Sequence, residues 1–269
     1  MSKIMAYVQP IFAPDKIRLD RNLDSLHSMS VHLQCHPFDD IEFYFGGWAK
    51  DEYWPLISEV VTREFAGRKF ILKKFDKNYG KGKVVNTLMK DVDTKYVLTA
   101  DSDILFLKEE YKMFERLINA AEISPVIRGI PFGMLSLNQS GNNCHLSFCY
   151  NQRVEYDNKF GRYEAHCFPD GGGGIAGGCI FFENKLWKLI GGYKVMGVYA
   201  GDDAYFLMDV YNLKRSIQIF ETCSVIHPHE DDPVYAQWKV RICQRDSNPF
   251  RTLTEEQMQE AKIFWDTHK

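Results

Sequence analysis

The stretch Tyr96–Phe106, YVLTADSDILF, decides how the rest of the chain is read. It opens on Tyr96, Val97, Leu98 and Thr99, places Asp101 and Asp103 on either side of Ser102, and resumes with Ile104, Leu105 and Phe106. An apolar run this short reads as a buried parallel strand rather than a helix. Carboxylates at the C-terminal end of such a strand lie where open α/β sheets take their ligands. Residues i and i+2 of an extended chain project to one side, so Asp101 and Asp103 can converge on one object. Two hard oxygen ligands without a neighbouring thiol suit Mg2+ or Mn2+, the ions that accompany a diphosphate. Asp-Ser-Asp is also ordinary turn chemistry, so the flanking sequence has to decide.

Upstream, residues 4–8 form a short apolar strand closed by Pro10, and residues 20–33 carry leucines and Met29 at near-helical spacing. Residues 41–45 (IEFYF) are a second strand, broken at Gly46-Gly47-Trp48 on the edge where Pro10 ends the first. Residues 54–65 fit a helix and residues 70–75 a third strand. Strands separated by helices imply parallel pairing through crossovers, a Rossmann-like α/β sheet. Before the fourth strand lies Asn78-Tyr79-Gly80-Lys81-Gly82-Lys83, a flexible basic turn entering a helix near Val84. Its glycines permit close backbone approach, and its lysines with a helix N-terminus favour an anion. The Walker spacing is absent, and a solvated lysine loop accounts for this turn equally well.

Downstream, residues 108–121 are amphipathic and helical, residues 126–130 suit a strand, and another strand falls within 132–148. Residues 138–143 (NQSGNN) have the composition of an exposed turn. The aromatics Tyr150, Tyr156, Phe160, Tyr163 and Phe168 suit a sugar or base site, or a core. After a glycine run, residues 178–182 are β-like, and residues 184–189 are helical with Asn184 as N-cap and Gly191-Gly192 as the stop. Gly201-Asp202-Asp203 precedes an apolar helix over 204–211. These carboxylates either cap that helix or supply a general base facing a cleft. Residues 217–220 and 224–226 read as two strands, followed by His227-Pro228-His229. A histidine just past a strand end can complete a metal site begun by Asp101 and Asp103. Thr254-Glu255-Glu256-Gln257 is a capping box opening a helix that runs to about Asp266.

Bulk properties narrow the class. With 269 residues, 45% hydrophobic and 26% charged, the chain has ample material for a core. A net charge of −3 gives no global nucleic-acid signature. The seven cysteines are odd in number and contain no C-x-x-C pair, which argues for buried thiols in a reducing compartment. The N-terminus lacks a signal-peptide core, and no apolar run approaches the ~20 residues of a membrane span. The expectation is a cytoplasmic protein.

The order of these pieces resembles the GT-A glycosyltransferases, in particular the family-two enzymes and the galactosyltransferase and chondroitin-polymerase domains, over roughly residues 7–235. Four features carry the resemblance: the turn Asn78, Gly80, Lys81 with later Asn86; the D-x-D of Asp101-Ser102-Asp103; the Gly177-Gly178 strand leading through a helix to Gly191-Gly192-Tyr193 and an acidic pair; and a late histidine after a strand. The resemblance implies a single GT-A domain over 1–269, with a mixed, mainly parallel sheet flanked by helices. Residues 1–106 would be the nucleotide-sugar half, 107–235 the acceptor half and 236–269 a helical extension.

By the same resemblance, Asp101, Ser102 and Asp103 meet the donor diphosphate and its Mn2+ or Mg2+, with His227 or His229 completing the metal site. Pro10 and Gly46-Gly47 flank the nucleotide base, Lys81 approaches the diphosphate or sugar, and Asn86 belongs to the donor motif. By that match Asp203 would be the general base for the acceptor hydroxyl, and Asp202 would contact the acceptor. Asp202 stands where the family has Glu, one methylene longer. The implied donor is a UDP-sugar and the implied acceptor a saccharide hydroxyl. Three other readings compete. Lys69, Lys73, Lys74, Lys77, Lys81 and Lys83 would suit the backbone of a DNA acceptor carrying a modified base. A nucleotidyltransferase would explain the paired metal carboxylates but not the late acidic pair and histidine. A non-catalytic sugar-binding domain would not explain retention of every carboxylate.

Overall fold

The computed structural model describes residues 3–128, 131–141, 152–158, 161–167, 177–195 and 202–228. His229, Gly201 and the expected helix over 254–266 lie outside the described residues. The chain begins with β1 (Met5–Ala13), α1 (Lys16–Cys35), β2 (Ile41–Ala49), α2 (Trp54–Glu64), β3 (Phe70–Lys74), α3 (Lys81–Leu88) and β4 (Tyr96–Ala100). It continues through β5 (Leu105–Phe106), α4 (Met113–Arg128), β6 (Phe132–Gly141), β7 (Gln152–Asn158), β8 (Gly161–Cys167), β9 (Cys179–Glu183), α5 (Asn184–Ile190), α6 (Asp202–Asn212) and β10 (Ser216–His227). One sheet takes all these strands in the order β3-β2-β1-β4-β9-β6-β10-β8-β7, with β5 pairing to β10.

The first four strands are parallel, as strand–helix alternation requires. Strand β9 then runs antiparallel between β4 and β6, joining this half to the parallel pair β6–β10. Period-2 alternation splits the side chains between two cores. Met5, Tyr7, Phe43, Phe45, Tyr96 and Leu98 face Leu26, Val61 and Phe114. Ala6, Val8, Tyr44, Val97, Ile180 and Phe182 face Val85, Leu88, Trp187 and Phe206. Helices α1, α2 and α4 therefore cover one face, and α3, α5 and α6 the other.

Several sequence expectations change. Strand β1 runs through Pro10 and β2 through Gly46-Gly47, with Pro10 opposite Gly46. The β4 ladder on β1 ends at Val8, so Pro10 sits where that side of the strand is open, and the missing N–H disturbs nothing. Residues 126–128 end helix α4 instead of forming a strand; a short apolar run does not distinguish the two by itself. Residues 138–141 belong to β6, aligned with Ser224–His227, rather than to a turn. The two strands expected over 217–226 are one, β10, with a register shift between Phe220 and Ser224. Asn184 does not cap α5: its amide donates to the carbonyls of Val92 and Thr94. Gly191 does stop α5, at φ 87°. The hairpin β7–β8 pairs Tyr156 with Tyr163 and had no clear sequence signal. No helix among the described residues is long and apolar enough to cross a membrane.

Candidate active site

Strand β4 ends at Ala100, and the chain turns through Asp101-Ser102-Asp103 into β5. The Asp101 amide donates to the Gly178 carbonyl (2.7 Å), and the Ile104 amide closes the turn on the Asp101 carbonyl (3.3 Å). A buried polar chain holds this turn from beneath. Tyr7 donates to Gln9 (3.1 Å), Gln9 to Ser25 (3.0 Å), and Ser25 to the Ile104 carbonyl (2.6 Å). Buried polar groups of this kind are tolerated because each is satisfied by the next.

The antiparallel pairing of Leu105 with Ile226 brings the end of β10 beside the turn. His227 Nε2 lies 3.5 Å from Asp103 Oδ1. The irregular segment of β10 is itself pinned: Glu110 accepts from the Ser224 amide (2.8 Å) and pairs with Arg116 (3.3 Å), whose guanidinium covers the Phe220 ring. Asp101, Asp103 and His227 each offer a ligand atom within 4.8 Å of the others. Two carboxylates and an imidazole, with no thiol, fit a divalent cation such as Mn2+ or Mg2+.

Lys81, the first residue of α3, reaches across to this cluster. Its Nζ lies 2.5 Å from Asp101 Oδ1 and donates to the Gly177 carbonyl (2.9 Å). Burial disfavours the ammonium, but Asp101, Tyr193 and Asp203 more than offset that, and the Lys81 pKa is raised. The site therefore carries a fixed cation. Burial pushes the Asp101 carboxyl up against the opposing pull of Lys81 and His227. Asp101 has a second oxygen, so it can serve both Lys81 and a metal ion.

Asp202 and Asp203 open α6, where the helix dipole favours both charges. Their side chains go to different places. Asp202 is 5% exposed, and its Oδ2 accepts from the Gly82 amide (2.9 Å). Burial lifts its pKa to about 6, against Lys81 and the Gly82 N–H. Asp203 is partly exposed and lies so close to Gly177 that a Cβ there would overlap its carboxylate. Thus Gly177 separates Lys81, on its carbonyl, from Asp203, on its Cα.

The remaining sequence candidates are placed as follows. Asn86 spends its amide on the backbone of Tyr193, donating to its carbonyl and accepting from its N–H (2.9 Å each). Pro10, Gly46 and Gly47 are buried within the sheet. Two residues further along the same strands, Phe12 and Trp48 are half-buried with ring centroids 6.0 Å apart. Their signal was the same period-2 spacing from Pro10 and Gly46. Gln139, in a stretch of turn composition, is buried in β6, and a Cβ on Gly178 would come within 2.5 Å of its Oε1 and 3.2 Å of His227 Nδ1. The lysine cluster disperses: Lys69 pairs with Glu42, Lys73 with Asp91, Lys74 with Asp51 and Lys81 with Asp101. Lys77 and Lys83 lie over the Tyr79 ring.

No family model and no curated protein matches this sequence. Solved structures do match. S. aureus TarS 1–349 in complex with UDP-GlcNAc aligns with a TM-score of 0.59 over 98% of this chain and 72% of its own, at 14% identity. The mannosyltransferase PcManGT from Pyrobaculum calidifontis, in complex with GDP-Man and Mn2+, aligns with a TM-score of 0.58 over 99% of this chain and 69% of its own, at 10% identity. Both are GT-A glycosyltransferase folds. This chain has the GT-A fold. The fold spans 43% of the longer S. aureus TarS structure. At these identities the likeness is one of architecture, and residue roles have to be argued from the site itself.

Proposed function

We propose that this protein is a metal-dependent glycosyltransferase that moves a sugar from a nucleotide-diphosphate donor, a UDP-sugar, to a saccharide hydroxyl. The observation that carries the reading is the convergence of Asp101, Asp103 and His227 beside the Lys81 ammonium, with Asp203 across Gly177. Asp101, Asp103 and His227 hold Mn2+ or Mg2+, with Ser102 in the same turn at the donor diphosphate. His229 is the alternative imidazole. The bound cation would neutralise charge on the departing diphosphate. Lys81 adds a fixed positive charge, already oriented by Asp101 and the Gly177 carbonyl, so it needs no reorganisation as charge develops. The nucleotide base lies along β1 and β2 against the half-buried Phe12 and Trp48, with the buried Pro10, Gly46 and Gly47 beneath as the backbone that positions them. Asn86 contributes indirectly, by holding α3 to Tyr193.

Asp203 is the general base for the acceptor hydroxyl, and attack opposite the departing diphosphate gives inversion. The first half of the chain serves the donor and the second half the acceptor. Pairing of most clustered lysines with carboxylates weakens the DNA-acceptor reading, because those charges are already neutralised. Cys35 is a free, exposed thiol, and Cys179 and Cys223 are free and buried, which supports a reducing, cytoplasmic setting.

A thermal-shift series with UDP, GDP, UDP-GlcNAc and GDP-mannose, each with and without Mn2+, tests the reading. A ligand at a hundred times its Kd adds about 2.7 kcal/mol to native-state stability. The expected result is a shift with one nucleotide family that requires the metal. No shift with any of them, in the presence or absence of oligosaccharide, would sink the proposal.

A further inference from the structure

We propose that Asp202 is a positioning residue, whose buried carboxylate fastens the first turn of α3 to the first turn of α6 and thereby sets Lys81 against Asp101. The inference rests on the donor-site reading above only for the ligand that Lys81 serves.

The argument starts from access. A side chain that contacts a sugar acceptor must be reachable, and Asp202 is 5% exposed. Its Oδ2 is committed to the Gly82 amide, 2.9 Å away. Its Oδ1 is buried without a hydrogen-bond partner, so nothing further in the described structure competes for the carboxylate. Gly82 is the residue immediately after Lys81, and a Cβ on it would stand 2.7 Å from the Asp202 carboxyl carbon and Oδ2. Gly82 and Asp202 are thus complementary in shape: the missing methyl leaves the space that the carboxylate fills.

The placement matters because of what lies on either side. One residue before Gly82, Lys81 bridges Asp101 and the Gly177 carbonyl. One residue after Asp202, Asp203 lies against the Cα of the same Gly177. A single buried hydrogen bond therefore ties the donor-side cation to the helix that carries the acceptor-side carboxylate. The next turn of α3 is tied on the same face, through the paired Asn86–Tyr193 hydrogen bonds. With both ties made, α3 has little freedom to carry Lys81 away from Asp101.

The test compares wild type with Asp202→Ala, Asp202→Asn and Asp202→Glu. Two quantities are read: hydrogen exchange at the Gly82 amide, and calorimetric affinity for UDP and GDP with Mn2+. Loss of the buried hydrogen bond should speed Gly82 exchange and weaken nucleotide binding in Asp202→Ala, each by about tenfold. Asp202→Asn keeps an acceptor oxygen toward Gly82 and should restore both to within about twofold of wild type. Asp202→Glu, one methylene too long for the gap, should not. With an assayed donor and acceptor, KM for the donor should rise and KM for the acceptor should hold.

Faster Gly82 exchange with unchanged nucleotide affinity would overturn the positioning role, as would a rise confined to the acceptor KM. If wild type binds neither UDP nor GDP, the donor reading fails, and unchanged Gly82 exchange in Asp202→Ala would separately overturn the tie between the helices. Should Asp202→Ala not fold, Gly82→Ala strains the same contact from the other side. It should reproduce the loss of affinity, and wild-type affinity there would count against the proposal.

Discussion

The chain presents two acidic pairs, and the backbone under each decides what the pair can do. Asp101 and Asp103 are separated by one residue at the end of a strand. Both face the same volume, and His227 joins them from a neighbouring strand. Asp202 and Asp203 are adjacent at the start of a helix, where successive side chains diverge by about 100°. One goes inward to the Gly82 amide and the other stays partly exposed beside Gly177. Two carboxylates at strand spacing can share one ion, whereas two at helical neighbours divide into separate tasks.

Removing one member of the shared pair should therefore have the largest effect. Asp103→Ala takes away one of the three groups of the proposed cation site, which Asp101 and His227 cannot replace from their positions. Transfer should fall by roughly three orders of magnitude, the scale of several kcal/mol of charge stabilisation. Added Mn2+ should no longer strengthen binding of UDP or GDP, measured by calorimetry. Metal-dependent binding as tight as wild type would break the claim that the strand-end pair acts on one ion.

In the divided pair, the exposed member comes next. Asp203→Asn keeps its shape beside Gly177 but cannot take a proton. Turnover should drop roughly 10²- to 10³-fold, the usual worth of a positioned general base, while nucleotide affinity stays within about twofold because Asp101 and the Gly177 carbonyl still hold Lys81. Rates measured with UDP-GlcNAc and GDP-mannose would check this. Equal losses of turnover and donor affinity would mean that Asp203 serves the donor and that the two pairs do not divide as described.

The strand-end pair was legible from sequence, and the division of the helical pair was not. A short apolar run followed by Asp-Ser-Asp specifies its own geometry locally: a strand, its C-terminal end, and a common side. The partner of Asp202 is Gly82, 120 residues earlier. That glycine showed only that backbone could approach something, not what. The same limit explains Gln139 and β6. Residues 138–141 have turn composition, and they become strand because β10 pairs alongside them, a long-range contact that overrides local preference. Pro10 and Gly46-Gly47 misled in the opposite direction. They punctuate a strand when read locally, yet the β1–β2 ladder carries on to Ala13 and Ala49.

The buried member of the divided pair should give the smallest functional effect and a measurable gain in stability. Folding raises the Asp202 pKa to about 6, from ~3.9 for an unfolded carboxyl. A raised folded pKa means that the native state binds the proton more tightly than the unfolded state does. The stability from that proton is fully present below about pH 4 and is lost as pH rises through about 6. Above pH 7 the wild type therefore keeps an ionised carboxylate in a site that favours the neutral form, at a cost of roughly 2–3 kcal/mol. Asp202→Asn removes that cost while leaving an oxygen for the Gly82 amide. Urea unfolding at pH 7.5 should show the variant more stable by about that amount, and the gap should close near pH 4. A gap that is absent at pH 7.5, or equal at both values, would mean that Asp202 carries its charge as easily folded as unfolded. Burial would then not be what separates it from Asp203.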